Sequence, residues 1–318
     1  MNEKIQKLAK NVALLSVASN SVLVISKIVI GLLIGSVSVI SEAIHSCIDL
    51  IAAVIAFFAV REASKSPDEE HQYGHGKFEN VSGTIEALLI FIAAGWIIYE
   101  AIHKFKNPTP IENSGLGIII MLVSGIINLI VSEVLFKVGK KADSIALKAD
   151  AWHLRTDVYT SLGVMLGLAI IWFASRFYPD KNLNWIDPVA AIFVALLIIK
   201  AAYDLTIQAA RDLFDVSLPK EEIIWIKNYL TSEAKNIENQ ITGFHNLKTR
   251  KAGKVRFVEF HLVVNEKLSV KESHNITEKI TKEIENKFQN VHVLIHIEPC
   301  DKECKTHCKS QCFVESNK

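Results

Sequence analysis

Residues 41–49, Ser-Glu-Ala-Ile-His-Ser-Cys-Ile-Asp, and residues 150–157, Asp-Ala-Trp-His-Leu-Arg-Thr-Asp, each place a histidine four residues ahead of an aspartate within a long apolar run. On a helix, residues four apart project from one face, so His45 pairs with Asp49 and His153 with Asp157. An ionisable side chain at membrane depth costs roughly 2.5–3.5 kcal/mol on insertion scales, so such residues are rarely incidental. Two carboxylates and two neutral imidazoles make a donor set of the kind a divalent transition metal takes. The two negative charges balance the ion, and four N/O ligands complete a tetrahedron that suits Zn²⁺.

Working outward from these pairs, six segments are long and apolar enough to cross a hydrocarbon core, near 12–34, 37–60, 81–103, 115–137, 145–174 and 186–209. The first follows a charged N-terminal stretch, but it is too long for a signal peptide and lacks a small-residue cleavage site, so it reads as a retained span. An even number of spans puts both ends of the chain on one side of the membrane. One set of flanks receives ten Lys and Arg, among them Lys4, Arg61, Lys77 and Lys140, and the other receives four, Lys104, Lys106, Arg176 and Lys181. The bias predicts both termini in the cytoplasm of a multi-pass cell-membrane protein, and short loops and compact length favour a bacterial inner membrane.

From about residue 215 the composition changes to that of a soluble domain rich in Lys and Glu. Residues 219–235 have helical periodicity behind Pro219, 241–249 and 255–265 read as strands around a Lys-Ala-Gly turn, and 291–298 alternate as a final strand. Residues 271–289 form an amphipathic helix with Ile276, Ile280, Ile284 and Phe288 on one stripe. The fold expected is therefore a helical membrane domain (1–210) followed by a cytosolic α+β domain (211–299) of order α-β-β-α-β, ferredoxin-like in architecture, and a Cys-rich tail (300–318). No basic stripe with interleaved aromatics is present, which argues against nucleic acid as a partner.

Facing one another in low dielectric, empty imidazoles and carboxylates tend to take up protons, and metal ligands must give theirs up. Metal and protons thus compete for one site, which is what antiport requires. A membrane metalloenzyme would call for a His-Glu-x-x-His motif or a nucleophile, and the chain has neither. A metal-sensing scaffold that does not transport stays open as an alternative.

These motifs, with Tyr73-Gly74-His75-Gly76-Lys77-Phe78-Glu79 after the second span, resemble those of the cation diffusion facilitators over nearly the whole chain. The resemblance implies a proton-coupled exporter of Zn²⁺, with Cd²⁺, Co²⁺ and Fe²⁺ as further candidates, working as a homodimer. Many bacterial members carry Asp at the position of His45 and are more permissive toward iron and cadmium, so His45 points to zinc. Asp68, His71 and His75 match a metal site at the cytosolic mouth, and Lys77 matches a residue that pairs with a hinge aspartate, here Asp215 or Asp212. His245, His261, His296 and Glu298 match a cytosolic two-metal cluster in which zinc is a structural ion, with His274 as a bridging contact; the family commonly has Asp where Glu298 stands.

Two groups of residues are left over. Cys300, Cys304, Cys308 and Cys312 repeat every four residues, a spacing that drifts only about 40° per step on a helix. They read either as incidental cysteines of a disordered tail or as a thiolate site for Zn²⁺ or Cu⁺. Asn20, Ser124 and Asn128 read as interhelical hydrogen-bonding groups, and Glu86 and Glu133 as candidates for a proton or ion path.

Overall fold

A computed structural model describes the chain except residues 1–2, 35–36, 107–114, 160–161, 163–185, 237–239, 289 and 301–318. It divides into two compact units, Asn2–Ala210 and Arg211–Lys318. The first is helical: α1 (Glu3–Ile34), α2 (Val37–Glu62), α3 (Lys77–Lys106), α4 (Gly115–Ala142), α5 (145–159) and α6 (Ile186–Leu213). Among the described residues, four stretches are long and apolar enough to cross a membrane: Lys4–Ile30, Lys77–His103, Leu122–Ala142 and Ala191–Leu213.

The bundle turns its large apolar side chains outward. Leu14, Val22, Ile25, Ile92, Trp96, Ile130, Phe193 and Leu196 are all exposed, while Ala13, Ala52, Ala53, Ala56, Ala87, Ala94, Ala149, Ala195 and Ala202 are completely buried. Lipid solvates the large residues, so helices associate where small side chains let backbones approach. Gly83 takes this furthest. A Cβ there would lie 2.7 Å from Ile145 Cγ2 and 3.5 Å from Ala209 Cβ, so α3 meets α5 and α6 at van der Waals contact through a bare backbone.

α5 belongs to two packing clusters. Ala146, Leu147, Ala151 and Leu154 pack with α1, α2 and α4, whereas Ala149 packs with α3 and α6. Its start is set locally: Asp143 takes a positive φ of 51°, and the Ser144 hydroxyl accepts from the Leu147 N–H at 3.3 Å, an N-cap. Arg155 is held by Glu133 of α4 and lies 4.2 Å from the Phe136 ring centre. The element that carries Asp150, His153 and Asp157 is thereby enclosed by protein on both sides.

In the second unit, α7 (Lys220–Asn236), β1 (Ile241–Ala252), β2 (Val255–Asn265), α8 (Val270–Lys287) and β3 (Val291–Cys300) follow the expected α-β-β-α-β order. The sheet order is β1-β2-β3, with β1 and β2 antiparallel through the turn at Gly253 (φ 57°), and β2 and β3 parallel across the α8 crossover. Val258, Phe260, Leu262 and Val264 alternate along β2 into a core with Ile226 and Leu230 of α7 and the predicted stripe Ile276, Ile280, Ile284 and Phe288. A capping box on Ser269 and Glu272 opens α8. Arg256 makes two hydrogen bonds of 2.9 Å to Glu222, and Lys279 pairs with Glu233, so both helices are tied down by charge as well as by apolar contact. With period-2 alternation, the other sheet face carries Glu259, His261, His292, Leu294, His296 and Glu298.

Candidate metal centres

At the heart of the helical unit, His153 Nε2 lies 3.1 Å from Asp49 Oδ1, joining α5 to α2 across 104 residues of sequence. Both residues are about 4% exposed. Asp157, one turn on from His153, acts on the same imidazole electrostatically, and His153 Nδ1 has no hydrogen-bond partner among the described residues. His45 is on α2 one turn before Asp49; its side chain is outside the described set. Lys27, a buried cation of α1, donates at 2.7 Å to the Oγ of Ser46, which lies about one turn before Asp49 on α2. The sequence reading passed over Lys27, although a lysine set well beyond Lys4, Lys7 and Lys10, deep in the apolar part of α1, is a visible signal.

The loop between α2 and α3 brings a second donor set together. Asp68, His71 and His75 offer ligand atoms within 4.8 Å of one another. Asp68 Oδ2 is 3.1 Å from His75 Nε2, and Asp68 Oδ1 accepts from the His71 backbone N–H at 2.6 Å. A turn closes the loop as the Gly74 N–H donates to the His71 carbonyl at 2.8 Å, with Gly74 at φ 81°, a conformation for which glycine is suited. His75 is buried and stacks on Phe78, which fixes its ring. The His71 N–H holds the Asp68 carboxyl below the usual carboxylate range against partial desolvation, with His75 and His71 adding to the lowering. Asp68 is therefore ionised at neutral pH.

The third set lies on the open face of the sheet. His245 of β1 stands opposite His261 of β2, and His261 opposite His296 of β3, so three histidines form a row across three strands. Glu298 is the hub: Oε1 lies 2.7 Å from His261 Nδ1 and Oε2 lies 3.3 Å from His245 Nε2. His245, His261 and Glu298 have ligand atoms within 4.8 Å of one another, while His296 stands further out, 3.8 Å from Glu298. His274 is exposed on α8 and is not in that group. A bulge between His245 and Lys248 puts Asn246 at φ 53°, with its side-chain nitrogen 3.2 Å from His261 Nε2. Asn246 is thus an orienting residue that sequence reading missed, because a bulge depends on the partner strand's register.

Of the remaining residues, Asp215 has an oxygen 3.4 Å from Arg250. Glu133 is engaged by Arg155 and Lys137 at the edge of the bundle. Cys300 ends β3 as a free thiol, and Cys304, Cys308 and Cys312 are outside the described residues.

The sequence profile described as "Cation efflux transmembrane domain" matches residues 13–214, and that described as "Cation efflux protein, cytoplasmic domain" matches residues 220–300. The chain is a cation diffusion facilitator. It is accordingly a multi-pass membrane transporter for cation efflux, not an enzyme, and its α+β domain is cytoplasmic. Similar proteins include an uncharacterised transporter of Synechocystis, sll1263, 33% identical over 86% of this chain and 84% of that one. Another, MJ0449 of Methanocaldococcus jannaschii, is 33% identical over 83% and 88%. The cation-efflux pump FieF of Shewanella oneidensis is 28% identical over 83% and 84%. Among solved structures, the zinc form of the transporter CzrB is 34% identical, with a TM-score of 0.25, over 28% of this chain and 96% of that one.

Proposed function

We propose that this cation diffusion facilitator exchanges cytoplasmic Zn²⁺ for protons, with His45, Asp49, His153 and Asp157 as the transport site. The observation that carries the reading is the buried Asp49–His153 contact, which joins one member of each His/Asp pair inside the bundle. A hydrogen bond at 3.1 Å holds a proton between these two atoms. A cation coordinated by both His153 Nε2 and Asp49 Oδ1 needs that proton gone, so metal entry and proton release are the same event at this site. When the cation leaves, reprotonation restores the hydrogen bond, which spares both groups an uncompensated burial.

The loop set is read as a cation-collecting site at the cytoplasmic mouth, with Asp68 supplying charge and the two imidazoles selectivity for a borderline metal. In the cytoplasmic domain His245, His261 and Glu298 fit a resident zinc ion, being three N/O donors already converged within 4.8 Å. His296 and His274 complete the coordination in a homodimer, His274 reaching across from a second copy.

Purified protein in liposomes carrying an internal zinc dye, with an imposed pH gradient, tests the transport assignment. Zinc movement driven by the gradient, and lost in Asp49→Asn and in Asp157→Asn, is expected. Flux that survives either substitution refutes the site, and His45→Asp is expected to admit Cd²⁺ and Fe²⁺ more readily.

A further inference from the structure

On the α3 side of the transport pair the bundle buries two more carboxylates. Asp150 is one turn before His153 on α5, Glu86 lies within α3, and both are completely inaccessible. Glu86 Oε1 accepts from Ser82 Oγ at 2.9 Å. Its other oxygen and both oxygens of Asp150 have no hydrogen-bond partner among the described residues. The polar neighbour of Asp150 on α1 is the Ser16 hydroxyl, close enough to act on the carboxyl though outside ideal hydrogen-bond geometry.

The charges around this pair are few. The charged group acting on Glu86, among the described residues, is Asp150. Asp150 in turn acts on Asp49 and His153. α6 contributes Ile198, Ala202 and Leu205 to the packing here, and its Lys200 and Asp204 are exposed. Glu79, two turns before Glu86 on α3, is also buried. No cation comes between the two carboxyl groups in any described contact.

Ala87, next to Glu86, and Ala149, next to Asp150, lie in one packed cluster, and two carboxylates enclosed between helices in a low-dielectric bundle relieve their repulsion when one of them keeps a proton. We infer that Glu86 and Asp150 form a second proton-binding site, linked through Asp150 to the transport site. It gives up a proton when a divalent cation binds at Asp49 and His153 and recovers one when the cation leaves. The sign follows from charge: a cation beside Asp150 favours its ionised form, and Asp150 and Glu86 share the cost of being charged. Proton release on loading is the antiport sense, so the inference rests on the exchange reading above and assigns to Glu86 one of the protons exchanged.

The test uses the full chain in liposomes, with zinc and pH indicators read together. Glu86→Gln keeps the shape and the Ser82 hydrogen bond but cannot titrate. It is expected to move zinc down a concentration gradient while exchanging one proton fewer per zinc ion, with a flatter dependence of flux on pH. Asp150→Asn is expected to lose the same proton. An unchanged ratio and pH profile in either Glu86→Gln or Asp150→Asn overturns the proposal. Zinc movement without proton movement in the wild type overturns the exchange reading instead.

Discussion

Glu298 gives the sharpest test of the cytoplasmic centre, because its two oxygens address different strands, one at 2.7 Å from His261 and the other at 3.3 Å from His245. Residues 211–299 carry their own apolar core around Phe260, Leu262 and Ile280, and ending the fragment there excludes the tail cysteines. A ligand that binds only the folded form stabilises it by RT ln(1 + [L]/Kd), about 2.7 kcal/mol at a hundred times Kd. At about 4–8 °C per kcal/mol for a domain of this size, zinc at that excess raises the melting temperature by about 11–22 °C. Glu298→Ala removes the anionic ligand and leaves histidines alone, so the zinc-dependent rise is expected to shrink to about the few degrees of a weak surface site. Circular-dichroism melts across a zinc series measure both. A wild-type fragment whose midpoint ignores zinc, or a Glu298→Ala fragment that rises as far, refutes the assignment.

Other outcomes follow from packing and charge. Gly83→Ala pushes a methyl group to within 2.7 Å of Ile145 Cγ2, an overpacking worth about 1–3 kcal/mol, and is expected to lower the melting point of the detergent-purified protein and slow its flux. Ser269→Ala removes the α8 cap and costs the domain about 1 kcal/mol in urea unfolding. In the wild type the Ser269 hydroxyl and N–H hold the Glu272 carboxyl below its ordinary range. The stabilisation from Glu272 is therefore present above the unfolded carboxylate pKa of about 4.3 and disappears as pH falls through the lower folded value; Ser269→Ala flattens that acid limb. Burial, followed by Glu233 and Glu283, pushes the Tyr229 phenol up to about 12. Its contribution is complete below the unfolded value of about 10 and is lost between there and 12, so Tyr229→Phe is expected to resist alkaline unfolding better in that window.

Where local spacing decides, the sequence was readable. A four-residue period brought Ile276, Ile280, Ile284 and Phe288 to one stripe, and all of them lie in the core. Alternation alone put His296 and Glu298 on a common strand face. The i,i+4 rule placed Asp157 with His153, but not His153 with Asp49, since a contact across 104 residues depends on how α5 is clasped between its neighbours. Register was equally hidden. Nothing in the order of residues announces that His245, His261 and His296 stand directly opposite one another, or that a bulge turns Asn246 toward His261. Glu86 and Glu133 look alike as isolated acids in apolar runs. Packing separates them, with Glu133 answered by Arg155 and Lys137 and Glu86 enclosed beside another acid.

The loop donors Asp68, His71 and His75 fall within eight consecutive residues, closed by a turn of their own. The entropy of gathering them is that of one short loop, whereas the Asp49–His153 contact waits on the closure of more than a hundred residues. During synthesis the mouth is therefore complete as soon as α2 and the start of α3 have emerged, long before α5 exists to finish the site within the bilayer. On the reading proposed above for the loop, a nascent chain of this kind acquires a grip on metal before it has any means of moving it.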